Sequence, residues 1–304
     1  LTKDGTPVLV YGNAAPPAVD FTYFRKTNLP HRVPKVSSAA ALAADLETGK
    51  ILFEKNKNDS SPIASITKLM TAALAAEIFG ASTTLAVDGE ALTAYGNTAG
   101  LMEGEIFSAG DLLYGLILPS SNDAAAVYAS SSPDFISRMG QKALALGMRQ
   151  TRYADASGLS AKNESSALDL WKLLAYIRAA HPEILELSRA REYRALPVNK
   201  KKVHVWRNIN WPLPDERFLG GKAGFTDDSL QTMAGIYKVR ISESGARPIA
   251  VIVLGSRNRV QDVRAIVKYL EQDFVYGTIL TRDGKKPSAP DTGANLYEAV
   301  ELLK

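Results

Sequence analysis

The sequence predicts a mixed α/β fold of the α+β kind, in which an antiparallel sheet is flanked by helices and a helical lobe is inserted between its first and last strands. Three observations carry this expectation. Two short apolar runs flank a turn-rich Glu47-Thr48-Gly49-Lys50 early in the chain, helical periodicity fills the middle, and strand-like runs return near the end before one more helical segment. The early hairpin needs the late strands as partners, because two strands alone are at best marginally stable.

Taken in order, residues 1–36 mix prolines, among them Pro16-Pro17, with polar and apolar residues in no sustained period, so they read as an extended arm or linker. A compact domain is expected from about Ser37 to Tyr276. Residues 39–46 and 51–54 read as the hairpin. From 66 to 79 Ala, Leu and Met dominate without an interior Gly or Pro, which fits a mostly buried helix starting at about Ser65 and ended by Gly80. Further helices are expected at 111–118, 123–129, 134–146, 166–180 and 182–188, giving a lobe over about 66–191. Strands follow at 232–241 and 249–254 around a Ser242-Glu243-Ser244-Gly245 turn, and 260–276 reads as a closing helix. The tail, 277–304, is polar with Gly and Pro and ends in a short amphipathic stretch at 296–303, so it is expected to be peripheral.

Composition narrows the chemistry. Hydrophobic residues at 46% and charged residues at 22% are ordinary for a globular chain of 304 residues, and the length suffices for a large core. The absence of cysteine removes disulfides, thiolate catalysis and sulfur-ligated metals. His31, His181 and His204 stand far apart without metal-ligand spacing, so neither a metal nor a cofactor is expected. The net charge of +4 would suit an anionic neighbour such as wall polymer, phospholipid or nucleic acid, but a mildly basic surface is the preferred reading. Lys200-Lys201-Lys202 is the one tight basic run; it lacks interleaved Arg and aromatic residues, which argues against nucleic acid, and reads as a solvated hairpin or loop. No run of about 18 apolar residues exists. Membrane attachment would therefore need an anchor outside this sequence, and the start at Leu1 without Met leaves room for a removed upstream signal.

Three short motifs point to nucleophilic catalysis. Ser65-Ile66-Thr67-Lys68 is the only Ser-x-x-Lys in the chain, and it falls at the first turn of a buried helix, where residues three apart share a face and backbone N–H groups are free. A lysine can act as base there only if burial or cationic neighbours bring its pKa from about 10.4 to about 7. Ser120-Ser121-Asn122 sits in a tight connection between two helices. Gly220-Gly221-Lys222-Ala223-Gly224 leads into a strand, with glycines that would let a peptide approach a sheet edge closely. Each also has an ordinary reading: an N-cap serine with an exposed lysine, a capped helix start, and a Gly-rich turn.

In this order the three motifs resemble those of low-molecular-mass penicillin-binding proteins, the serine D-Ala-D-Ala carboxypeptidase and endopeptidase family, over roughly residues 37–276. Flanking text agrees: Pro62-Ile63-Ala64 and Leu69-Met70-Thr71 around the serine, and Asp155-Ala156-Ser157-Gly158-Leu159 before the helix containing Asp169. The resemblance implies a β-lactamase/transpeptidase-like architecture with the site where sheet and lobe meet. It implies that Ser65 attacks a D-Ala carbonyl while Lys68 takes its proton, that Ser120 relays a proton to the leaving amine, and that Asn122 holds the substrate amide. Lys222 would supply positive charge, the backbone N–H groups of Ser65 and Phe225 an oxyanion hole, and Gly224, Thr226 and Arg259, or else Arg257, would lie on the substrate side. Peptidoglycan stem peptides would be the substrate, β-lactams covalent inhibitors, and the bacterial cell envelope outside the cytoplasm the location.

One departure stands out. The family pattern has Lys-Thr-Gly where this chain has Lys222-Ala223-Gly224, so a hydroxyl expected to bind the substrate carboxylate is absent, with Thr226 the nearest replacement. Carboxypeptidase activity is the first reading, cross-link endopeptidase the second, and a non-catalytic wall-binding relative the third. A class A β-lactamase would add a Glu-x-x-x-Asn segment, and none lies between Ser120 and Lys222.

Overall fold

The computed structural model describes residues 21–26, 33–210, 215–242 and 245–278. Most of the expected N-terminal arm and nearly all of the expected tail, with its amphipathic end, lie outside the described residues. The chain enters through β1 (Phe21–Arg25) and then forms the expected hairpin, β2 (Ala40–Asp45) and β3 (Ile51–Lys55). Every residue of β2 is buried, as a continuous apolar run in a central strand requires. A short β4 (Ser61–Pro62) and a 3-10 turn, Ala64–Ile66, lead into α1 (Thr67–Ile78).

The lobe follows as β5 (Thr84–Ala86), β6 (Ile106–Ser108), α2 (Ala109–Ile117), α3 (Asn122–Ser130), α4 (Phe135–Ala145), β7 (Glu164–Ser165), α5 (Ala167–Ala180) and α6 (Pro182–Leu187). Local chemistry explains where its helices begin. Ser108, Ser121 and Ser166 each accept a hydrogen bond from the backbone N–H three residues on, and Asp111, Asp123 and Asp169 place negative charge in the first turns. The hairpin β8 (Glu192–Ala195) and β9 (His204–Arg207) comes next, with Lys200, Lys201 and Lys202 exposed in its loop as expected. The chain then closes with β10 (Phe218–Thr226), β11 (Leu230–Ser242), β12 (Gly245–Ser256), α7 (Arg259–Asp273) and β13 (Phe274–Thr278).

The main sheet is five-stranded and antiparallel in the order β10-β11-β12-β2-β3. Side-chain alternation splits its contacts into two cores. Leu42, Ala44, Ile236, Ala250, Ile252 and Leu254 face the lobe, whereas Ala41, Ala43, Met233, Ile249, Val251 and Val253 face α7. This arrangement leaves β10 at the edge beside the lobe.

Two expectations are corrected. The closing helix stops at Asp273 instead of running to Tyr276, and the residues after it form β13, antiparallel to β1 with Phe21 opposite Thr278. A strand paired to the end of the fold therefore occupies part of the segment expected as an extended arm or linker. The cause is a partner some 250 residues away in sequence: Tyr23 packs on Tyr276 with ring centroids 4.8 Å apart, a pairing no local pattern announces.

Asp45 fastens this ribbon to the sheet. One carboxylate oxygen accepts the N–H groups of Glu47 (2.5 Å) and Thr48 (2.9 Å), while the other accepts from the Tyr23 hydroxyl and from Arg247 Nε (2.8 Å). Arg247 also reaches Glu47 at 2.6 Å, and its guanidinium lies 4.1 Å above the Tyr276 ring. Removing a carboxylate that is itself fully buried takes this acceptor from the Tyr23 hydroxyl and the two backbone N–H groups and leaves Arg247 with the Glu47 carboxylate. Asp45→Ala is thus expected to lower the unfolding free energy by about 3 kcal/mol or more, read from urea denaturation; a loss under about 1 kcal/mol would refute this role.

Candidate active site

Ser65 lies in the 3-10 turn before α1, partly exposed, behind an Ala64 held at φ 48°. Such a left-handed alanine is strained by about 1 kcal/mol or more and persists only when its surroundings enforce it. One turn further on, Lys68 is fully buried on the inward face of α1. Its Nζ lies 3.0 Å from Ser65 Oγ, 2.8 Å from Asn122 Oδ1 and 2.6 Å from the carbonyl oxygen of Ser157. The last two can only accept hydrogen bonds. A neutral amine giving both its protons to them keeps its lone pair for the Ser65 hydroxyl.

Burial supplies that neutrality. It pulls the Lys68 pKa down from its ordinary value to about 7, against the opposing pull of the Asp155 and Asp123 carboxylates. Asp155 was visible in the sequence only as flanking text, yet it organises the wall of the site. Its carboxylate accepts the N–H groups of Ser157 (2.7 Å), Gly158 (2.6 Å) and Ser160 (2.8 Å), together with the Ser157 hydroxyl and the Asn163 amide. Burial alone would raise Asp155, but these hydrogen bonds outweigh it and hold the carboxyl below its usual range. The turn so formed aims the Ser157 carbonyl at Lys68.

Of the paired serines, Ser121 serves as the cap of α3, so the ordinary reading fits that one. Ser120 is held at φ 60°, nearly buried, and its hydroxyl has no hydrogen-bond partner among the described residues. Asn122 follows at the start of α3; its Oδ1 takes the Lys68 bond and its Nδ2 donates to the Tyr95 carbonyl at 2.7 Å. Asp123 in turn accepts the N–H of Ala99 at 2.9 Å. The helix start thereby fixes the loop on the far side of the cleft.

The third motif contributes the edge strand β10. Lys222 is buried, with Nζ donating to Asn210 Oδ1 at 2.5 Å and to the Ala223 carbonyl at 2.8 Å. Burial, then the charges of Lys68 and Arg259, hold its pKa well below the ordinary lysine value. Asn210 carried no signal in the sequence, being one of two asparagines, with Asn208, in the stretch before the strand. Gly224 carries the close approach to Ser65: a Cβ there would sit 2.9 Å from Ser65 N, so the Gly224-Phe225 backbone passes directly beside the serine turn. Gly220, by contrast, makes room for α6, since its Cβ would meet the Leu185 carbonyl at 2.6 Å; that glycine serves packing and not peptide approach.

Among the remaining candidates, Arg259 reaches the site from the first turn of α7, donating to the Gly224 carbonyl at 2.9 Å, whereas Arg257 is exposed. Ala223 is buried on the α7 side of the sheet next to Met233. Thr226 does not replace the missing hydroxyl. The ladder from Ala223 to Thr226 is regular, so three residues of offset put Thr226 on the opposite face, and its hydroxyl is spent on Ser229 at 2.9 Å. Among the described residues, no three His, Cys, Asp or Glu side chains are grouped to hold a metal ion.

The architecture around this site is that of the DD-transpeptidase-like, penicillin-binding enzymes. The chain superposes on a D-alanyl-D-alanine carboxypeptidase from Mycobacterium tuberculosis H37Rv with a TM-score of 0.72 at 23% identity, covering 81% of this chain and 94% of that one. A Streptomyces K15 DD-transpeptidase mutant gives 0.69 at 22% identity, covering 78% and 98%. The sequence profile of the peptidase S11 family, D-alanyl-D-alanine carboxypeptidase, matches residues 27–258, and the chain belongs to this family of serine-type D-Ala-D-Ala carboxypeptidases and endopeptidases. It is 32% identical to a D-alanyl-D-alanine endopeptidase of Escherichia coli K12 over 73% of this chain and 72% of that one. It is 28% identical to a D-alanyl-D-alanine carboxypeptidase of Mycobacterium tuberculosis over 67% and 71%.

The Asp155 turn presses on the Ala64-Ser65 backbone through Gly158, at φ 86°, where a Cβ would lie 2.0 Å from the Ala64 carbonyl oxygen and 3.0 Å from Ser65 N. Gly158→Ala is expected to slow acylation by fluorescent penicillin at least about tenfold by displacing Ser65. Gly140→Ala on α4, where a Cβ meets nothing within 4 Å, is the control and should leave the rate unchanged. Equal rates in the two variants would mean that the Gly158 contact does not govern the serine.

Proposed function

We propose that this chain is a D-alanyl-D-alanine carboxypeptidase that hydrolyses peptidoglycan stem peptides outside the cytoplasm through an acyl-enzyme on Ser65. The observation that carries the proposal is the buried Lys68 amine 3.0 Å from Ser65 Oγ with its other two contacts fixed as acceptors. Lys68 takes the Ser65 proton as Oγ attacks the D-Ala carbonyl carbon, and the N–H groups of Ser65 and Phe225 hold the developing oxyanion. Ser120, whose hydroxyl is otherwise uncommitted, passes a proton to the departing amine. Water then cleaves the ester and restores the serine. Asn122 acts chiefly by orienting Lys68. Burial and the charges of Lys68 and Arg259 lower the pKa of Lys222, a substrate carboxylate beside it would raise it again, and Arg259 supplies a second cation beside the same strand.

The non-catalytic reading is disfavoured because a lysine buried this completely is expensive to keep unless its neutral form has a use. A specific observation favours the endopeptidase as second reading. With Ala223 lacking a hydroxyl and Thr226 committed to Ser229, a terminal carboxylate meets only Lys222 and Arg259, and a cross-link does not always present that carboxylate. Mass spectrometry of purified muropeptides before and after incubation separates the cases: release of D-Ala from monomers supports the first, conversion of dimers to monomers the second, and no change refutes both.

A β-lactam should add one acyl mass to the peptide containing Ser65 and none to Ser65→Ala. Because the base must be neutral and its pKa lies at about 7, kcat/KM for acylation should fall about tenfold per pH unit below that value. Asp155→Asn removes an anion that raises Lys68, so this acid limb should move to lower pH. A limb unmoved in the variant, or absent from the wild type, would take the role of base away from Lys68.

Ala223→Thr restores the absent hydroxyl. Cleavage of peptides ending in free D-Ala-D-Ala should improve by roughly tenfold or more, while the matching C-terminal amides gain little. Paired kinetics on acid and amide read the difference, and an unchanged ratio would show that carboxylate recognition at this position is not part of the reaction.

A further inference from the structure

The basic character of the chain is concentrated in one place. Residues 189–207 carry seven Lys and Arg against a single Glu, a net of +6 where the whole chain has +4, so the remainder is net negative. All seven cations are exposed. They belong to the β8–β9 hairpin and its flanks, which the catalytic mechanism does not use.

Pairing sorts the hairpin into two faces. Ala195 lies opposite His204, and these two and Trp206 are buried, His204 Nε2 lying 2.9 Å from Glu105 and Trp206 donating to the Ala99 carbonyl at 2.8 Å. Period-2 alternation therefore turns Arg194 and its partner Val205 outward, and extends that face to Leu196 and Val203. Leu196, Val198, Val203 and Val205 are 41–69% exposed and stand between Arg194 and the three lysines. The tip is held firmly: the Val198 N–H donates to the Ile106 carbonyl at 2.7 Å, and the Asn199 amide bridges Ile106 and Gly104. The apolar side chains are thus displayed by a fixed scaffold.

We propose that the outer face of this hairpin docks the protein on an anionic lipid surface. Cations attract lipid phosphates, and the aliphatic side chains among them enter the headgroup boundary, where they leave water. A linear polyanion would engage the lysines alone and leave the exposed Leu and Val unrewarded, which is why a bilayer is the better match. Docking of this kind is reversible and weakened by salt. It is independent of the catalytic reading.

The test is sedimentation of the 304-residue chain with vesicles of mixed phosphatidylglycerol and phosphatidylcholine, against vesicles of phosphatidylcholine alone. The wild type should partition onto the anionic vesicles and not the neutral ones. At about fivefold per basic residue near such a surface, Lys200→Glu/Lys201→Glu/Lys202→Glu should reduce partitioning on the order of a hundredfold. Leu196→Ser/Val203→Ser keeps every charge and should still lose about tenfold. Penicillin acylation at the wild-type rate shows that both variants are folded. Failure of the wild type to bind, or full binding by the lysine variant, would overturn the proposal. Full binding by the apolar variant would overturn it as well, since that is the behaviour of a polyanion site.

Discussion

A lysine with no exposed surface, set against a serine, is the constraint on which the rest of the structure turns. Burying an amine is unfavourable in proportion to its charge, so the fold must either pair it with an anion or let it go neutral. This fold does something between. Two carboxylates stand near enough to be felt, yet Lys68 is hydrogen-bonded only to neutral acceptors, one from the start of α3 and one from the turn after α4. Its pKa near 7 follows from that balance: closer anions would lock the proton on, and none at all would leave the base too weak.

Holding such a balance needs three separate stretches of chain to meet at one nitrogen. The first turn of α1 brings the lysine, just after the 3-10 turn that holds the serine, the capped start of α3 brings the Asn122 amide, and the Asp155 turn brings a carbonyl. The sheet adds the fourth wall through β10, whose edge position leaves a backbone free to face a substrate, and whose glycine lets it reach the serine turn. Lys222 extends the same principle, buried like Lys68, with burial first and then the charge of Lys68 weakening its hold on a proton.

Much of this was legible in the sequence because it rests on local pattern. The hairpin at β2 and β3 and the main helices follow from apolar period and from serine caps, and the resemblance of three motifs picked out residues that the fold gathers into one cleft. What escaped notice depends on distant partners. The ribbon of β1 and β13 joins the two ends of the described fold, and Asn210 gains meaning only from the lysine it meets. Asp155 entered only as text flanking the motifs, and its role lies in where the turn it holds aims the Ser157 carbonyl. Thr226 misled because nearness in sequence is not nearness on a strand face.

The left-handed Ala64 and the glycine pressed against its carbonyl have a consequence for how the site could have been assembled or altered. Ser65 and Lys68 are both steered by one short turn, through a contact with the serine's backbone and a hydrogen bond to the lysine. Anything that lifts this turn moves the surroundings of serine and lysine together, and anything that seats it restores both. One turn thus serves as a latch that the two side chains share.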